Sequence, residues 1–139
     1  MELKIIALSP DLTPKKAHEQ DACFDLYSAD DCVVPAVGSV KVSTGVKMNI
    51  PEGYFVEIRS RSGLAFKHNI TAFHGTIDSG YLDPVYVLLT NNGLEPYHIK
   101  RGDKIAQFRM VKLEPTEIVN VLSFVDAFDR GGGFGSTGR

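Results

Sequence analysis

Short runs of apolar residues alternate with polar residues along most of this chain. The alternation has the two-residue period of a strand with one buried face. On this pattern we predict strands at residues 39–47, 55–59, 85–89, 104–111 and 117–122. We expect the last of these strands to end near Val125.

Turn-forming residues separate the runs. Turns are predicted at residues 51–53, 91–93 and 101–103, which read Pro-Glu-Gly, Asn-Asn-Gly and Arg-Gly-Asp. Seven scattered prolines leave few windows of helical length, and one short helix is predicted at Ser62–His68 with Ser62 as its N-cap. Short strands at such close spacing are typical of an all-β sandwich or barrel.

Composition narrows the class of protein. A chain of 139 residues is one domain, long enough to bury a core without disulfides or metals. Its net charge of -2 and hydrophobic content of 43% exclude bulk disorder and a basic nucleic-acid coat, so no direct nucleic-acid partner is expected. Cys23 and Cys32 lack metal-ligand spacing and are expected to be free thiols.

The hydrophobic runs are short everywhere. None approaches the roughly 20 apolar residues of a membrane span, and the first residues, Met1 to Lys4, lack the apolar run of a signal peptide. We therefore expect a cytoplasmic or nuclear protein, of cellular or viral origin, with no membrane partner.

The end of the chain differs from the rest. Five of the 13 glycines lie in the last nine residues, a composition that cannot form a core element. We expect a β domain at residues 1–127 and a flexible arm at residues 128–139. Glycine amides can approach phosphate oxygens closely, and Arg130, Phe134, Ser136 and Thr137 add a charge, a stacking face and two hydroxyls. A disordered tail is the other interpretation of the same composition.

Four upstream segments carry polar groups at predicted turns or strand ends. Arg61 and Ser62 stand at the predicted helix start, where main-chain amides favour anions. Asp78 precedes a Ser-Gly turn and could orient and deprotonate a water, while Asp25 interrupts a strand-like run and Gln107 follows a turn. Taken singly, each segment is also consistent with an ordinary cap, turn or strand.

Together the five segments, in this order, resemble the five motifs of the trimeric deoxyuridine triphosphatase (dUTPase) family. The resemblance extends over about residues 21–138. It is most specific in Arg61-Ser62-Gly63-Leu64-Ala65, in Gly75-Thr76-Ile77-Asp78, in Gly102-Asp103-Lys104-Ile105-Ala106-Gln107 and in residues 130–138. It implies a jelly-roll-like β fold and a homotrimer with three sites at subunit interfaces, each closed by the C-terminal arm of another subunit.

The resemblance also implies a reaction. The family hydrolyses dUTP to dUMP and pyrophosphate by water attack on the α-phosphorus with Mg²⁺, which keeps uracil out of DNA and supplies dUMP for dTMP synthesis. By motif position, Asp78 and Arg130 resemble the catalytic residues, and Asp25 resembles the carboxylate that reaches Mg²⁺ through water. The residues that resemble substrate contacts are Arg61, Ser62, Gly63, Gly75, Ile77, Tyr81, Gln107, Phe134, Gly135, Ser136 and Thr137.

Some positions depart from the family pattern. Cys23 replaces a glycine, Ser60 a proline, and Gly80 an acid, and Leu82-Asp83-Pro84 follows Tyr81 where a glycine is usual. Two alternatives therefore stay open. One is a deaminase of dCTP, which needs a further acid or base near Asp78, and the other is a non-enzymatic trimeric binding module. His74, beside the third motif, is expected to be structural.

Overall fold

The chain forms eleven short strands and one α-helix in the computed structural model, which describes residues 1–135. The predicted contacts at Ser136 and Thr137 lie outside the described residues. The strands are β1 Lys4–Ala7, β2 Phe24–Tyr27, β3 Cys32–Val34, β4 Gly38–Ser43, β5 Val46–Asn49, β6 Tyr54–Arg59, β7 Ile70–Ala72, β8 Thr76–Asp78, β9 Tyr86–Asn91, β10 Tyr97–Ile99 and β11 Lys104–Lys112. The helix is α1 Ser62–His68, and a single 3₁₀ turn occupies Pro10–Leu12.

Two sheets build most of the domain. One has the strand order β2-β11-β6-β8 and the other β4-β9-β7, with the two-stranded pairs β1-β5 and β10-β3 beside them. All the strand pairs are antiparallel. A single buried cluster draws apolar side chains from both larger sheets, Phe108 and Val56 from one and Leu89 and Ile70 from the other. The all-β prediction is confirmed.

The alternation in the sequence corresponds to the two faces of these sheets. In β6, Val56 and Ile58 are buried, while Glu57 and Arg59 point away from the core and are only partly covered. The predicted strands at 55–59, 85–89 and 104–111 coincide closely with β6, β9 and β11. The shorter strands escape such patterns because three or four residues show too few alternations.

Two local predictions are wrong. The run at 39–47 is two strands, β4 and β5, because Gly45 turns the chain at φ 68°, where a Cβ would also stand 2.7 Å from Leu12 Cδ1. Ser62 is the first residue of α1, not its N-cap. That place is taken by Arg61 in extended conformation, without a side-chain cap bond.

The predicted strand at 117–122 is also wrong. Residues 113–122 have no regular secondary structure, and the last strand ends at Lys112 instead of near Val125. The apolar side chains here are exposed, Leu122 fully so. Such a segment becomes a strand only where a neighbouring strand accepts its main-chain hydrogen bonds, and no strand within residues 1–135 pairs with it. Within residues 1–135, no helix has the length and apolar character needed to cross a bilayer.

Candidate functional site: two separate pockets

The β8 hairpin forms the first pocket, with a cavity of about 290 Å³. We call it the hairpin pocket; its lining is Ile58, Gly75, Thr76, Ile77, Asp78, Tyr81, Val85 and Tyr86. Four residues assigned from the motifs therefore meet in one cavity. The pocket combines apolar walls with one carboxylate and two phenols, a composition suited to a small polar ring.

The turn after β8 is held by hydrogen bonds at both ends. Gly80 has φ 93°, a conformation that favours glycine, and the Tyr81 amide donates to the Asp78 carbonyl at 3.2 Å. The Ser79 hydroxyl donates to the Ile50 carbonyl at 2.8 Å, and the Tyr81 hydroxyl donates to the Pro84 carbonyl at 3.1 Å. Gly80 and Pro84, both departures from the family pattern, are thus part of what fixes this hairpin.

The second pocket surrounds Asp25 on β2 and has a cavity of about 320 Å³. We call it the Asp25 pocket; its lining is Ala17, Asp21, Ala22, Cys23, Asp25, Arg61 and Gln107. Asp25 is largely buried, and its two oxygens are paired with Arg61 Nε at 3.2 Å and Lys104 Nζ at 3.3 Å. The two cations make this carboxylate an oriented, anchored group.

Gly63 and Gly75 show a different kind of constraint. A methyl group added at Gly63 would meet no other atom within 4 Å, and one added at Gly75 would come no closer than 3.5 Å, to Ile58 Cγ1. Neither glycine has a positive φ. Packing and backbone conformation within the described chain therefore do not require glycine at these positions.

The two pockets stand far apart in one chain. Asp25 and Asp78 lie on opposite edge strands of the β2-β11-β6-β8 sheet, three strand intervals or about 14 Å apart. Along the strands, Asp25 is paired with Gln107, and Gln107 is paired with Arg59 of β6. Asp78 is paired with Phe55, which lies four residues, or about 14 Å, from Arg59 along β6. The two carboxylates are thus about 20 Å apart, on the same face of the sheet.

Three charged side chains occupy the sheet face between the pockets. Arg109 Nε donates to Glu57 Oε2 at 2.6 Å, and Arg59 Nη1 lies 3.6 Å from the same oxygen. The hydrogen bond from Arg109 lowers the pKa of Glu57. Next to this group, burial raises the pKa of the Cys23 thiol. Both cysteines are free thiols, as predicted.

The predicted arm residues are not brought to either pocket. Arg130, Phe134 and Gly135 are exposed, and neither pocket includes them. Phe134 in particular has no apolar partner. Ser62 and Gly63 are likewise exposed, although they directly follow Arg61 at the edge of the Asp25 pocket.

A magnesium ion is compatible with the donors of the Asp25 pocket. Residues 1–135 contain no cluster of three or more His, Cys, Asp or Glu side chains, so the chain offers no complete metal cage. Mg²⁺ usually keeps several waters and takes one or two carboxylates together with substrate phosphates. A single oriented carboxylate such as Asp25 fits that mode of binding.

Sequence reasoning assigned no role to two polar residues that bear on these sites. Lys104 pairs with Asp25 because β11 lies beside β2, and Tyr86 reaches the hairpin pocket from the first position of β9. The Lys41 ammonium lies 4.6 Å from the Tyr86 ring centroid. Lys104 lies within a motif and could have been suspected from its charge, whereas nothing in the sequence singles out Tyr86.

The fold and the two pockets define the class of this protein. It is a jelly-roll-like β protein with one polar pocket at the β8 hairpin and a second one around Asp25. The sequence profile of the dUTPase family matches residues 11–138. This chain belongs to the dUTPase family.

Individual relatives agree with that assignment. A deoxyuridine 5′-triphosphate nucleotidohydrolase of Paramecium bursaria Chlorella virus 1 is 41% identical over 126 residues, covering 91% of this chain and 89% of the viral protein. The protein of the same name from Nautilia profundicola is 41% identical, with 100% of each chain covered.

Solved structures are similar over the whole fold. The dUTPase of Staphylococcus bacteriophage 80alpha with dUpNHpp has a TM-score of 0.91 and 28% identity, covering 99% of each chain. A dUTPase of phage phi11 of S. aureus, described for its structural Mg(II) ion, has a TM-score of 0.82 and 27% identity, covering 89% of this chain and 99% of the phage chain.

Proposed function

We propose that this protein hydrolyses dUTP to dUMP and pyrophosphate. The observation that carries the proposal is the hairpin pocket, in which a carboxylate, Asp78, and an aromatic ring, Tyr81, are held by one tight turn. Relatives that are about 40% identical over nearly the whole chain carry the name of this activity.

In the hairpin pocket, Asp78 holds the deoxyribose 3′-hydroxyl and orients the attacking water as its general base. The Tyr81 ring packs under the sugar and leaves no space for a ribose 2′-hydroxyl. Gly75 and Ile77 present main chain to the uracil, and the absence of a side chain at Gly75 permits the close approach. The narrow hairpin excludes the C5 methyl group of thymine.

In the Asp25 pocket, Arg61, Ser62, Gly63 and Gln107 bind the phosphates. A chain with net charge -2 does not attract a triphosphate by its overall field, so local donors must neutralise the charge. Asp25 would hold a hydrated Mg²⁺, which when bound neutralises charge on the phosphate oxygens. Lys104 keeps the Asp25 carboxylate oriented through its 3.3 Å ion pair.

We further propose that each working site combines pockets from different copies of the chain. A base that acts through one water and a carboxylate that acts through a hydrated metal ion must both lie close to the same α-phosphorus, whereas Asp25 and Asp78 of one chain are about 20 Å apart. A cyclic homotrimer in which each hairpin pocket faces a neighbour's Asp25 pocket resolves this distance.

The C-terminal residues support the same assembly. The exposed apolar side chains of this part of the chain are Ile118, Val119, Val121, Leu122, Phe124, Val125 and Phe128. Soluble monomers rarely leave so many contiguous apolar residues uncovered. We propose that the segment lies along a neighbouring subunit and brings the arm over that subunit's site, where Phe134 stacks on uracil and Arg130, Gly135, Ser136 and Thr137 meet the phosphates.

The consequence in the cell is a low ratio of dUTP to dTTP, which keeps uracil out of DNA, and a supply of dUMP for dTMP synthesis. Because the substrate belongs to the intracellular deoxynucleotide pool, we propose a cytoplasmic or nuclear place of action.

A pyrophosphate-release assay tests the reaction. dUTP, dCTP, dTTP and UTP are compared with and without Mg²⁺, and fast pyrophosphate release from dUTP alone, dependent on Mg²⁺, is expected. Deamination of dCTP without pyrophosphate would instead establish the alternative reaction. Consistent with the proposal, no glutamate lines the hairpin pocket as the structure describes it. No turnover of any nucleotide would favour a binding module.

A further inference from the structure

Ser60 is the single residue between Arg59, where β6 ends, and Arg61, the N-cap of α1. Strand β6 belongs to the sheet that carries Asp25 and Asp78, whereas β7, where Ala72 is the last residue, belongs to the β4-β9-β7 sheet. The segment between them holds Arg61, Ser62 and Gly63. A contact between Ser60 and Ala72 therefore holds together the two ends of the segment that contains the proposed phosphate-binding residues.

The Ser60 hydroxyl makes that connection with two hydrogen bonds. The Ala72 amide donates to Ser60 Oγ at 2.8 Å, and Ser60 Oγ donates to the Ala72 carbonyl at 3.2 Å. On its other side Ala72 is paired with Leu89 of β9. The hydroxyl thus hydrogen-bonds the amide and the carbonyl of Ala72 at the free edge of β7, as the main chain of a neighbouring strand would.

The main chain of Ser60 is held as well. Gln107 Nε2 donates to the Ser60 carbonyl at 2.9 Å, and Gln107 lies opposite Asp25 on the paired strand β2. Three residues beyond Ala72, the Gly75 carbonyl accepts a hydrogen bond from the Ile58 amide at 2.8 Å. Ser60 is therefore linked on one side to the Asp25 pocket and on the other to the strand that leads into the hairpin pocket.

We propose that Ser60 is a positioning residue that fixes Arg61 and the start of α1 relative to the β8 hairpin, so that phosphate and base contacts keep their register. This inference rests on the proposed hydrolysis of dUTP. Without the hydroxyl, residues 60 and 72 lose both of their direct bonds, and the main chain before Arg61 keeps the bond from Gln107 but loses its link to β7. Reactions that depend on positioning are sensitive to displacements of about 1 Å.

The test compares Ser60→Ala and Ser60→Thr with wild type in steady-state dUTP hydrolysis. Ser60→Ala is expected to lower kcat about tenfold with little change in KM, because ground-state contacts survive while alignment is lost. Ser60→Thr, which keeps the hydroxyl, is expected to remain within about twofold of wild type. Ser39→Ala is the matched control, since Ser39 shares a 2.9 Å hydroxyl bond with Thr90 on the exposed face of β4 and touches neither pocket.

Hydrogen exchange at the Ala72 amide gives a readout that does not depend on activity. Exchange should accelerate in Ser60→Ala and stay slow in Ser60→Thr and Ser39→Ala. Wild-type kcat in Ser60→Ala, an equal kcat loss in Ser60→Thr, or unchanged Ala72 exchange in Ser60→Ala would each overturn the inference. Absence of turnover in the wild-type protein would instead count against the proposed function, with the exchange measurement still deciding whether Ser60 holds β7.

Discussion

At the scale of single residues, Asp78 takes its position from the turn that follows it. The carbonyl of Asp78 is occupied by the Tyr81 amide, so the side chain remains as the group that can meet a ligand. The sequence placed this carboxylate directly before a Ser-Gly turn, and in the structure it is the last residue of β8.

Replacing that carboxylate tests its proposed role as base. Asp78→Asn is expected to bind the unreactive analogue dUpNHpp while losing about 10²- to 10⁴-fold in kcat, because an amide cannot take the proton from water. Single-turnover pyrophosphate release and analogue titration measure the two quantities. Asp83→Asn, an exposed carboxylate on the same loop, is the control and should keep the wild-type rate. Undiminished hydrolysis by Asp78→Asn would remove the residue from the mechanism.

The charge of Asp11 contributes to the stability of the fold and has no part in the proposed reaction. A hydrogen bond from Arg101, 2.6 Å from Asp11 Oδ2, and a second one from Ser9 lower the pKa of Asp11 from 3.8 to about 2. The pair joins the 3₁₀ turn near the N-terminus to the turn before β11. Because the pKa is lower in the folded state, the contribution to stability is complete above pH 3.8 and is lost as the pH falls through about 2.

Asp11→Asn should therefore flatten the dependence of the melting temperature on pH between about 4 and 2. Thermal melts across that interval, at fixed protein concentration and ionic strength, measure the difference. Glu2→Gln, which removes an exposed carboxylate near the N-terminus, should leave the slope as in wild type. Equal slopes for wild type and Asp11→Asn would show that the ion pair contributes nothing in solution.

At the scale of elements, patterns identified the long strands and failed where a partner was needed. Strands β6, β9 and β11 have six to nine residues, which is long enough for an alternation of apolar and polar residues to be recognised. The predicted strand at 117–122 has no strand beside it within residues 1–135. The strand propensity of a segment shows that it can form a strand, but the segment forms one only when another strand pairs with it.

Removal of the arm is expected to affect function and not folding. Deleting residues 130–139 is expected to reduce kcat by about 10³-fold or more, because the charge of Arg130 and the stacking of Phe134 are lost together. The melting temperature should stay close to that of the full chain, since the described part of the arm contacts no core residue. Parallel activity and calorimetry measurements make the comparison. An unfolded truncated chain would show that the arm supports the fold.

At the scale of the whole molecule, the distance between the two pockets determines the kind of assembly expected. One chain places Asp25 and Asp78 at opposite edges of a sheet, about 20 Å apart. A site that needs both carboxylates must then combine two copies, and sites of this kind appear only on assembly.

Complementation between inactive variants tests that arrangement. Asp25→Asn and Asp78→Asn chains, each nearly inactive alone, are co-expressed with different tags and the mixed trimers purified. In a cyclic trimer that contains both variants, one site of the three keeps both carboxylates, so about one third of wild-type kcat per chain is expected. Separately purified variants mixed without reassembly are the control. No recovery in mixed trimers would mean that each site takes both carboxylates from one chain.

The sequence by itself determined the all-β class, the long strands, the free cysteines and the membership in the dUTPase family, because alternation, turn residues and motif order are local properties. It did not determine which groups meet. The pairing of Lys104 with Asp25, the contact of Tyr86 with the hairpin pocket and the Ser60–Ala72 bonds join residues distant in sequence. Only the order and register of the strands decide such contacts, and they are also what separates Asp25 from Asp78 within one chain.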